Sequence, residues 1–340
     1  MFEWQGRVDS EDGDKGLRWH QRVKLDINDD TSSNVDTSAK ADTQQNLTQT
    51  IDANKHVSLV GFECDLGVMN NKGRVGAAAG PNAIRQALAN LPWHWPDATL
   101  TDVGNVTAEA NLSQAQRQYA NAIQYALQSG NAEKKSKLVI GLGGGHEIAW
   151  GSYQGLFDSL SANKRVGIIN FDAHFDLRKP APNTSSGTPF RQVYEHCQLH
   201  NTPFNYACIG VSKAANTTAL FEFADTSKTR YLRDTHCDFQ SVINTLNPML
   251  ESIDELYVTI CLDAFAASTA PGVSAPSALG ISPSLVINTL RYLAQQQQVK
   301  DYQWRLCDIA EMNPQFDMDN RTAKLAARLI FEVTDALMED

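Results

Sequence analysis

The chain is short of basic charge. Lys and Arg number 29 against 39 Asp and Glu, a formal net charge of −10. Without a basic stripe to neutralise phosphates, nucleic acid is excluded as a partner. An anionic small molecule is not excluded, provided that local arginines meet it. No apolar run reaches the roughly 18 residues that a membrane helix requires, so no membrane partner is expected. The opening MFEWQGRVDSEDGDK has neither the basic nor the apolar region of a signal peptide, which predicts a cytoplasmic protein. CxxC pairs are also missing. Cys64, Cys197, Cys208, Cys237, Cys261 and Cys307 are scattered, and read as reduced thiols, several of them buried. Residues 28–50 hold almost no large apolar side chains and are expected to form a surface loop or a disordered insertion. Internal repeats and obvious linkers are absent as well.

What is present is enough for a large core. The chain has 340 residues, 42% of them hydrophobic and 20% charged, as in globular proteins. From about His56 onward, short apolar runs alternate with amphipathic ones. HVSLVGFECD, KLVIGL, RVGIINFD, YACIGVS, ELYVTICLDAF and WRLCDIAEM read as strands. PNAIRQALANL, QAQRQYANAIQYALQ, EIAWGSYQGLFDSL, SPSLVINTLRYLAQ and TAKLAARLIFEVTDAL read as helices. Continuously apolar strands suit a parallel sheet buried on both faces, which gives an α/β class and a single domain over residues 56–340 behind an extension of residues 1–55.

In open parallel sheets, ligands bind outside the carboxyl ends of the strands. Four such ends carry chemistry here. KLVIGL runs into GGGHE, RVGIIN into FDAHFD, YVTI into CLD, and WRLC into DIAEMNP. In extended chain, Asp172, His174 and Asp176 share a face, with Ala173 and Phe175 on the other. Two carboxylates beside an imidazole repel one another without a cation. Oxygen-rich ligation with some imidazole suits Mn²⁺, with Zn²⁺ or Fe²⁺ as alternatives. The glycines at 143–145 permit a tight strand-to-helix turn that places His146 over the sheet edge. A dinucleotide fingerprint fails, because His146 stands where it needs glycine. Cys261 and Asp263 also share a face. Asp263 is a natural ligand, whereas Cys261 reads equally as a buried core thiol.

Together GGGHE, NFDAHFD, CLD with PGVSAP eight residues beyond its aspartate, and DIAEMNP resemble the ureohydrolases: arginase, agmatinase and formimidoylglutamase. The segment GFECDLGVMNNKGRVGAAAGPNAIRQAL also looks like that family's start, and the resemblance covers about residues 56–338. SSGTPFR (Ser185 to Arg191) and WQGRVDSEDGDKGLRWH point to the formimidoylglutamase branch. The resemblance implies a three-layer α/β/α sandwich around a parallel sheet, a homo-oligomer, and two Mn²⁺ ions per chain. It implies hydrolysis of N-formimidoyl-L-glutamate to L-glutamate and formamide, a step of histidine degradation, by a metal-activated hydroxide. His146, Asp172, His174, Asp176, Cys261 and Asp263 would hold the metals, with Asp172 bridging. Asp176 and Glu311 would be catalytic, Glu311 pairing with the cationic amidine.

The family strand usually ends in Asp-x-Asp, and Cys261 stands at the first aspartate. Three readings stay open: an unusual thiol ligand, one firm and one weak metal, or a homologue with impaired metal chemistry. Phe190 or a neighbour stands near the position of the arginase acid-base histidine, which argues for a different substrate class. The substrate's carboxylates need cations. Arg191, with hydroxyls from Ser186 and Thr188, is the first candidate and Arg74 the second. Another ureohydrolase substrate, such as agmatine, would keep the mechanism and change these loops.

Overall fold

The computed structural model describes residues 2–26, 55–109, 111–129 and 136–338. The polar stretch 28–50 lies outside the described residues. Among the described residues, nine parallel strands form one sheet. They are β1 (Val23–Leu25), β2 (Lys55–Glu63), β3 (Ala98–Thr107), β4 (Ser136–Leu142), β5 (Val166–Phe171), β6 (Asn205–Val211), β7 (Arg230–Arg233), β8 (Glu255–Cys261) and β9 (Gln303–Ala310). Their order across the sheet is β1-β3-β2-β4-β9-β8-β5-β6-β7. Central β5 and β8 are buried at every residue, while β3, next to the edge, begins with alternating buried and half-buried positions. That contrast is what double coverage of the middle of a sheet produces.

The α-helices are α1 (Trp19–Arg22), α2 (Leu66–Asn70), α3 (Gly80–Leu88), α4 (Leu112–Gln128), α5 (Ile148–Ser159), α6 (Pro189–His200), α7 (Thr218–Thr226), α8 (Phe239–Leu250), α9 (Pro283–Lys300) and α10 (Arg321–Met338). Local chemistry sets several starts. Pro81 and Pro283 occupy first turns, where a missing N–H costs nothing. Asn111 and Ser282 accept hydrogen bonds from the N–H groups of Gln114 and Leu285. Helices α3, α8, α9 and α10 pack Ile84, Val242, Leu290 and Ile330 into one core. Helices α4 to α7 pack Ile123, Ile148, Val193 and Ala224 into the other. The result is the three-layer α/β/α sandwich that the resemblance implied. Among the described residues no helix is long and apolar enough to cross a membrane. All six cysteines are free thiols, and Cys237 alone is not fully buried.

One boundary needs correction. The core does not begin at His56. Trp19 is fully buried, edge-on to Trp93 at 5.3 Å and to Trp95 at 6.2 Å. Strand β1 pairs with β3. A single tryptophan removes as much apolar surface from water as two small aliphatic side chains, so an apparently polar extension can still enter the core. Trp19→Ala is therefore expected to destabilise the fold by about 3 to 5 kcal/mol in urea unfolding. An unchanged midpoint would show that residues 2–26 are a mere appendage.

Candidate metal centre

The four chemistry-bearing strand ends meet because of strand order. The chain passes from β4 to β5 and later inserts β8 and β9 between them. The crevice lies at that crossover, where open α/β sheets place their ligands.

The glycine turn holds His146. The N–H groups of Gly143, Gly144 and Gly145 donate to the carbonyls of Ile309, Phe62 and Cys64 at 2.7, 3.0 and 3.0 Å. A Cβ on Gly144 would lie 1.9 Å from the Cys64 carbonyl oxygen, so no other residue fits. His146 is buried, its ring edge-on to Phe190 at 5.5 Å. Phe190 lies in the core and takes no part in the cavity wall.

After Phe171 the chain leaves the sheet, so Asp172 to Asp176 form a loop rather than the extended run expected. Their side chains still converge. Phe175 is buried against Phe221 and Tyr231. Asn216 accepts from the Phe175 N–H at 3.0 Å and donates to the Ala173 carbonyl at 2.8 Å. Asp176 (φ 50°) and Glu311 (φ 68°) both adopt left-handed backbone, at a cost of about 1 to 2 kcal/mol each. Strain of this kind collects at functional sites.

Asp172 is the hinge of the cluster. Its Oδ2 lies 2.9 Å from His146 Nδ1, and its Oδ1 lies 3.4 Å from His174 Nδ1. Asp176 Oδ2 is 2.8 Å from His146 Nδ1, and Asp263 Oδ2 is 3.3 Å from His174 Nδ1. Two donor groups share Asp172: His146–Asp172–Cys261 and Asp172–His174–Asp263, each with ligand atoms within 4.8 Å of one another. Glu311 Oε1 accepts from the His146 N–H at 2.9 Å.

The electrostatics follow from this crowding. Burial and neighbouring carboxylates push Glu311 up to about 8 and Asp263 up to about 6. Asp176 is raised by burial and by Asp172. Burial, then Asp172, Asp263 and Glu311, push the Cys261 thiol well up. Burial pulls His146 and His174 down, but the carboxylates beside them outweigh it and hold both imidazoles well above their usual range. Buried Asp263 Oδ1 and Glu311 Oε2 have no hydrogen-bond partner. These donors fit a pair of divalent cations. The oxygens suit a hard ion, and the unpartnered atoms are ligand-competent lone pairs. Binding must displace protons from the imidazoles, so affinity rises with pH.

A cavity of about 320 Å³ opens over the cluster. His146, His174, Asp176, Cys261, Asp263 and Glu311 line it. Ser186 and Arg74 also line it. The Arg74 guanidinium, however, donates to the carbonyls of Ser274 and Val273 and stacks on Phe316. It shapes the wall, with Nε and one terminal nitrogen engaged by these carbonyls. Two of the expected residues do not line the cavity. Thr188 is buried outside the cavity, its hydroxyl engaged by Ser185 and Gln192. Arg191 lies in an outer cavity of about 930 Å³. It pairs with Glu195 at 3.0 Å and covers the Phe223 ring at 3.7 Å. Both sit in or just before α6, whose packing turns them away from the metal ligands.

Asn71, Lys72 and Arg178 were missed, and they line both cavities. Among the described residues, neither Lys72 nor Arg178 has a carboxylate partner within ion-pair distance. Lys72 belongs to the NNKGR motif already singled out, and Arg178 follows the acidic cluster by two positions. Sequence marked the segment but not which cation turns inward.

A family model described as "Arginase family" matches residues 55–335. The chain belongs to the arginase family. It is 43% identical to the formimidoylglutamase of Hahella chejuensis over 332 residues, 96% of this chain and 92% of that protein. It is 43% identical to the formimidoylglutamase of Vibrio cholerae, over 99% of this chain and 95% of that protein. The formiminoglutamase of Trypanosoma cruzi, solved with Mn²⁺, has the same fold: TM-score 0.71, 21% identity, 86% of this chain and 95% of that one. Arginase from Bacillus subtilis follows at TM-score 0.66 and 25% identity, over 82% of this chain and 98% of that one. Arginase-family enzymes are metal-dependent amidinohydrolases, and the donor set fits that chemistry.

Glu311 gives a pH test. Its carboxyl, raised from 4.5 to about 8, keeps in the fold a proton that the unfolded chain releases. Its contribution to stability is thus full below the unfolded value and is lost as pH rises through the folded one. In metal-stripped protein, Glu311→Gln should raise Tm relative to wild type near pH 9 and change it little near pH 5. Scanning calorimetry showing an equal effect at both pH values would contradict the raised carboxyl.

Proposed function

We propose that this arginase-family chain hydrolyses N-formimidoyl-L-glutamate to L-glutamate and formamide, in the cytoplasm and as part of histidine degradation. One observation carries the reading: the cavity is acidic at its floor and cationic at its mouth. The floor holds Glu311, Asp176 and Asp263, and the mouth holds Lys72 and Arg178. A substrate with a cationic amidine at one end and two carboxylates at the other matches that polarity. Agmatine, which has no carboxylate, leaves both cations unmatched. The names of the relatives point the same way.

His146, Asp172, Asp176 and Cys261 would hold one metal, and Asp172, His174 and Asp263 the other. Two divalent cations bound there, Mn²⁺ by the hardness of the oxygens, supply hydroxide at neutral pH. Glu311 Oε2, buried and unpartnered, receives the cationic amidine and keeps its charge compensated as the carbon becomes tetrahedral. Asp176 takes a proton from the attacking oxygen at its carboxylate and returns it to the departing nitrogen. Lys72 and Arg178 bind the glutamate carboxylates and Ser186 adds a hydroxyl, fixing the amidine over the floor. Arg74 holds the loop around Ser274. Residues 2–26 and 55–338 form one catalytic domain, and the family resemblance supports a homo-oligomer.

Glutamate release from N-formimidoyl-L-glutamate by metal-stripped protein titrated with Mn²⁺ is the direct test. Manganese-dependent turnover is expected, and its absence from well-folded protein sinks the assignment. Arg178→Ala should raise KM by about 10- to 100-fold with a smaller change in kcat, as for loss of a charge-assisted hydrogen bond made throughout the reaction. Cys261→Asp, which exchanges a soft donor for a hard one, should tighten the weaker Mn²⁺ site. Unchanged binding in that variant would argue that position 261 supplies no ligand.

A further inference from the structure

The mechanism leaves the larger, outer cavity without a role. That cavity of about 930 Å³ adjoins the inner one of about 320 Å³, and the two share Asn71, Lys72, Arg178 and Leu220 in their walls. A molecule that moves from one to the other passes Lys72 and Arg178. Lys179 and Arg191 line the outer cavity alone. Arg191 is spent on Glu195 and on the Phe223 ring. Lys179 is exposed, and among the described residues no carboxylate lies within ion-pair distance of it. Glu222, on α7, is the one carboxylate among the described residues of that wall.

The backbone holds these cations in place. The Arg178 N–H donates to the Gly187 carbonyl, and the Ala181 N–H to the Lys179 carbonyl, both at 2.9 Å. Lys72 has left-handed backbone (φ 61°), and its N–H donates to the Met69 carbonyl at 2.9 Å. The chain as a whole carries a formal charge of −10, so a dianion is repelled over most of its approach. Cations gathered in a recess with low-dielectric walls focus the field and raise the local concentration of anions. A substrate with a charge of each sign must also enter amidine first. Cations at the entrance hold back the carboxylate end and send the amidine on toward Glu311.

Taking N-formimidoyl-L-glutamate as the substrate, as proposed above, we infer that the outer cavity is a capture chamber for dicarboxylates. Lys179, with Lys72 and Arg178, draws the substrate in by its carboxylate end and turns its amidine toward the inner cavity. Lys179 meets the substrate on the way in, so it governs capture and not the chemical step. The same field turns away guanidinium compounds that carry no carboxylate.

The test is the salt dependence of kcat/KM for N-formimidoyl-L-glutamate in the Mn²⁺-loaded enzyme. Between roughly 10 mM and 1 M NaCl the Debye length falls from about 30 Å to about 3 Å. Wild type should lose about 10-fold in kcat/KM over that range, with kcat nearly constant. Lys179→Gln should lower kcat/KM by about 3- to 10-fold at low salt and Lys179→Glu by more, and both should meet wild type at high salt. Glu222→Gln should raise it at low salt. Lys164→Glu, just before β5 at the opposite end of the sheet, alters net charge as much as Lys179→Glu and should stay close to wild type. A salt slope in Lys179→Glu equal to that of wild type, or a loss that persists at 1 M NaCl, overturns the inference. Calorimetric binding of glutarate, a dicarboxylate without an amidine, gives a readout that needs no turnover. Its affinity at low salt should weaken in Lys179→Glu and not in Lys164→Glu. If wild type turns over no N-formimidoyl-L-glutamate but binds glutarate through Lys179, the substrate assignment fails and the capture chamber stands. Equal glutarate affinity in wild type and Lys179→Glu overturns the chamber, whatever the substrate.

Discussion

The structure is organised around a crowding of buried acidic groups with only two imidazoles, His146 and His174, set against them. Asp172, Asp176, Asp263, Glu311 and the Cys261 sulfur converge on one buried point. Two unit charges 4 Å apart repel by about 4 kcal/mol at an effective dielectric of 20. The pressure shows as raised carboxyls at Asp176, Asp263 and Glu311, while Asp172, held between two imidazoles, is pushed down. Without metal, the imidazoles of His146 and His174 carry the compensating protons. The arrangement makes sense as a cation site and is costly as anything else.

Such a cluster persists only if its scaffold cannot relax. The sheet supplies that rigidity, since each ligand lies at or just beyond a central strand end. The left-handed backbones of Asp176 and Glu311 are held by hydrogen bonds on both sides. The Asp176 carbonyl accepts from the Phe190 N–H at 3.2 Å, and the Glu311 N–H donates to the Gly144 carbonyl at 2.8 Å. Backbone strain of about 1 to 2 kcal/mol per residue is small beside the repulsion, so packing sets the aim of these carboxylates and electrostatics sets what they bind.

The cavity divides its labour by charge. Its floor attracts cations and its mouth attracts carboxylates, in an acidic protein that would otherwise repel a dianion. Cys261 is the element that departs from this logic. As a buried thiol among carboxylates it resists deprotonation, and as a soft donor it matches manganese poorly. The two halves of the cluster are therefore chemically unequal.

The sequence alone determined the class of fold and most of the residues that meet in the candidate site. Continuous apolar runs marked the central strands, and a chemical group at the end of each marked the site, because both signals are local. It also exposed Cys261. It did not reveal that Trp19 and β1 belong to the core, because their partners Trp93, Trp95 and β3 are distant in the chain. Nor did it separate Lys72 and Arg178 from Arg74 and Arg191. Basic side chains of one loop look alike in sequence, and only packing decides which is spent on a carbonyl, a ring or a neighbouring glutamate. The insertion of β8 and β9 between β4 and β5 likewise belongs to the tertiary structure. It alone brings Asp263 and Glu311 to His146 and Asp172, since strand order is set by long-range pairing that no local pattern encodes.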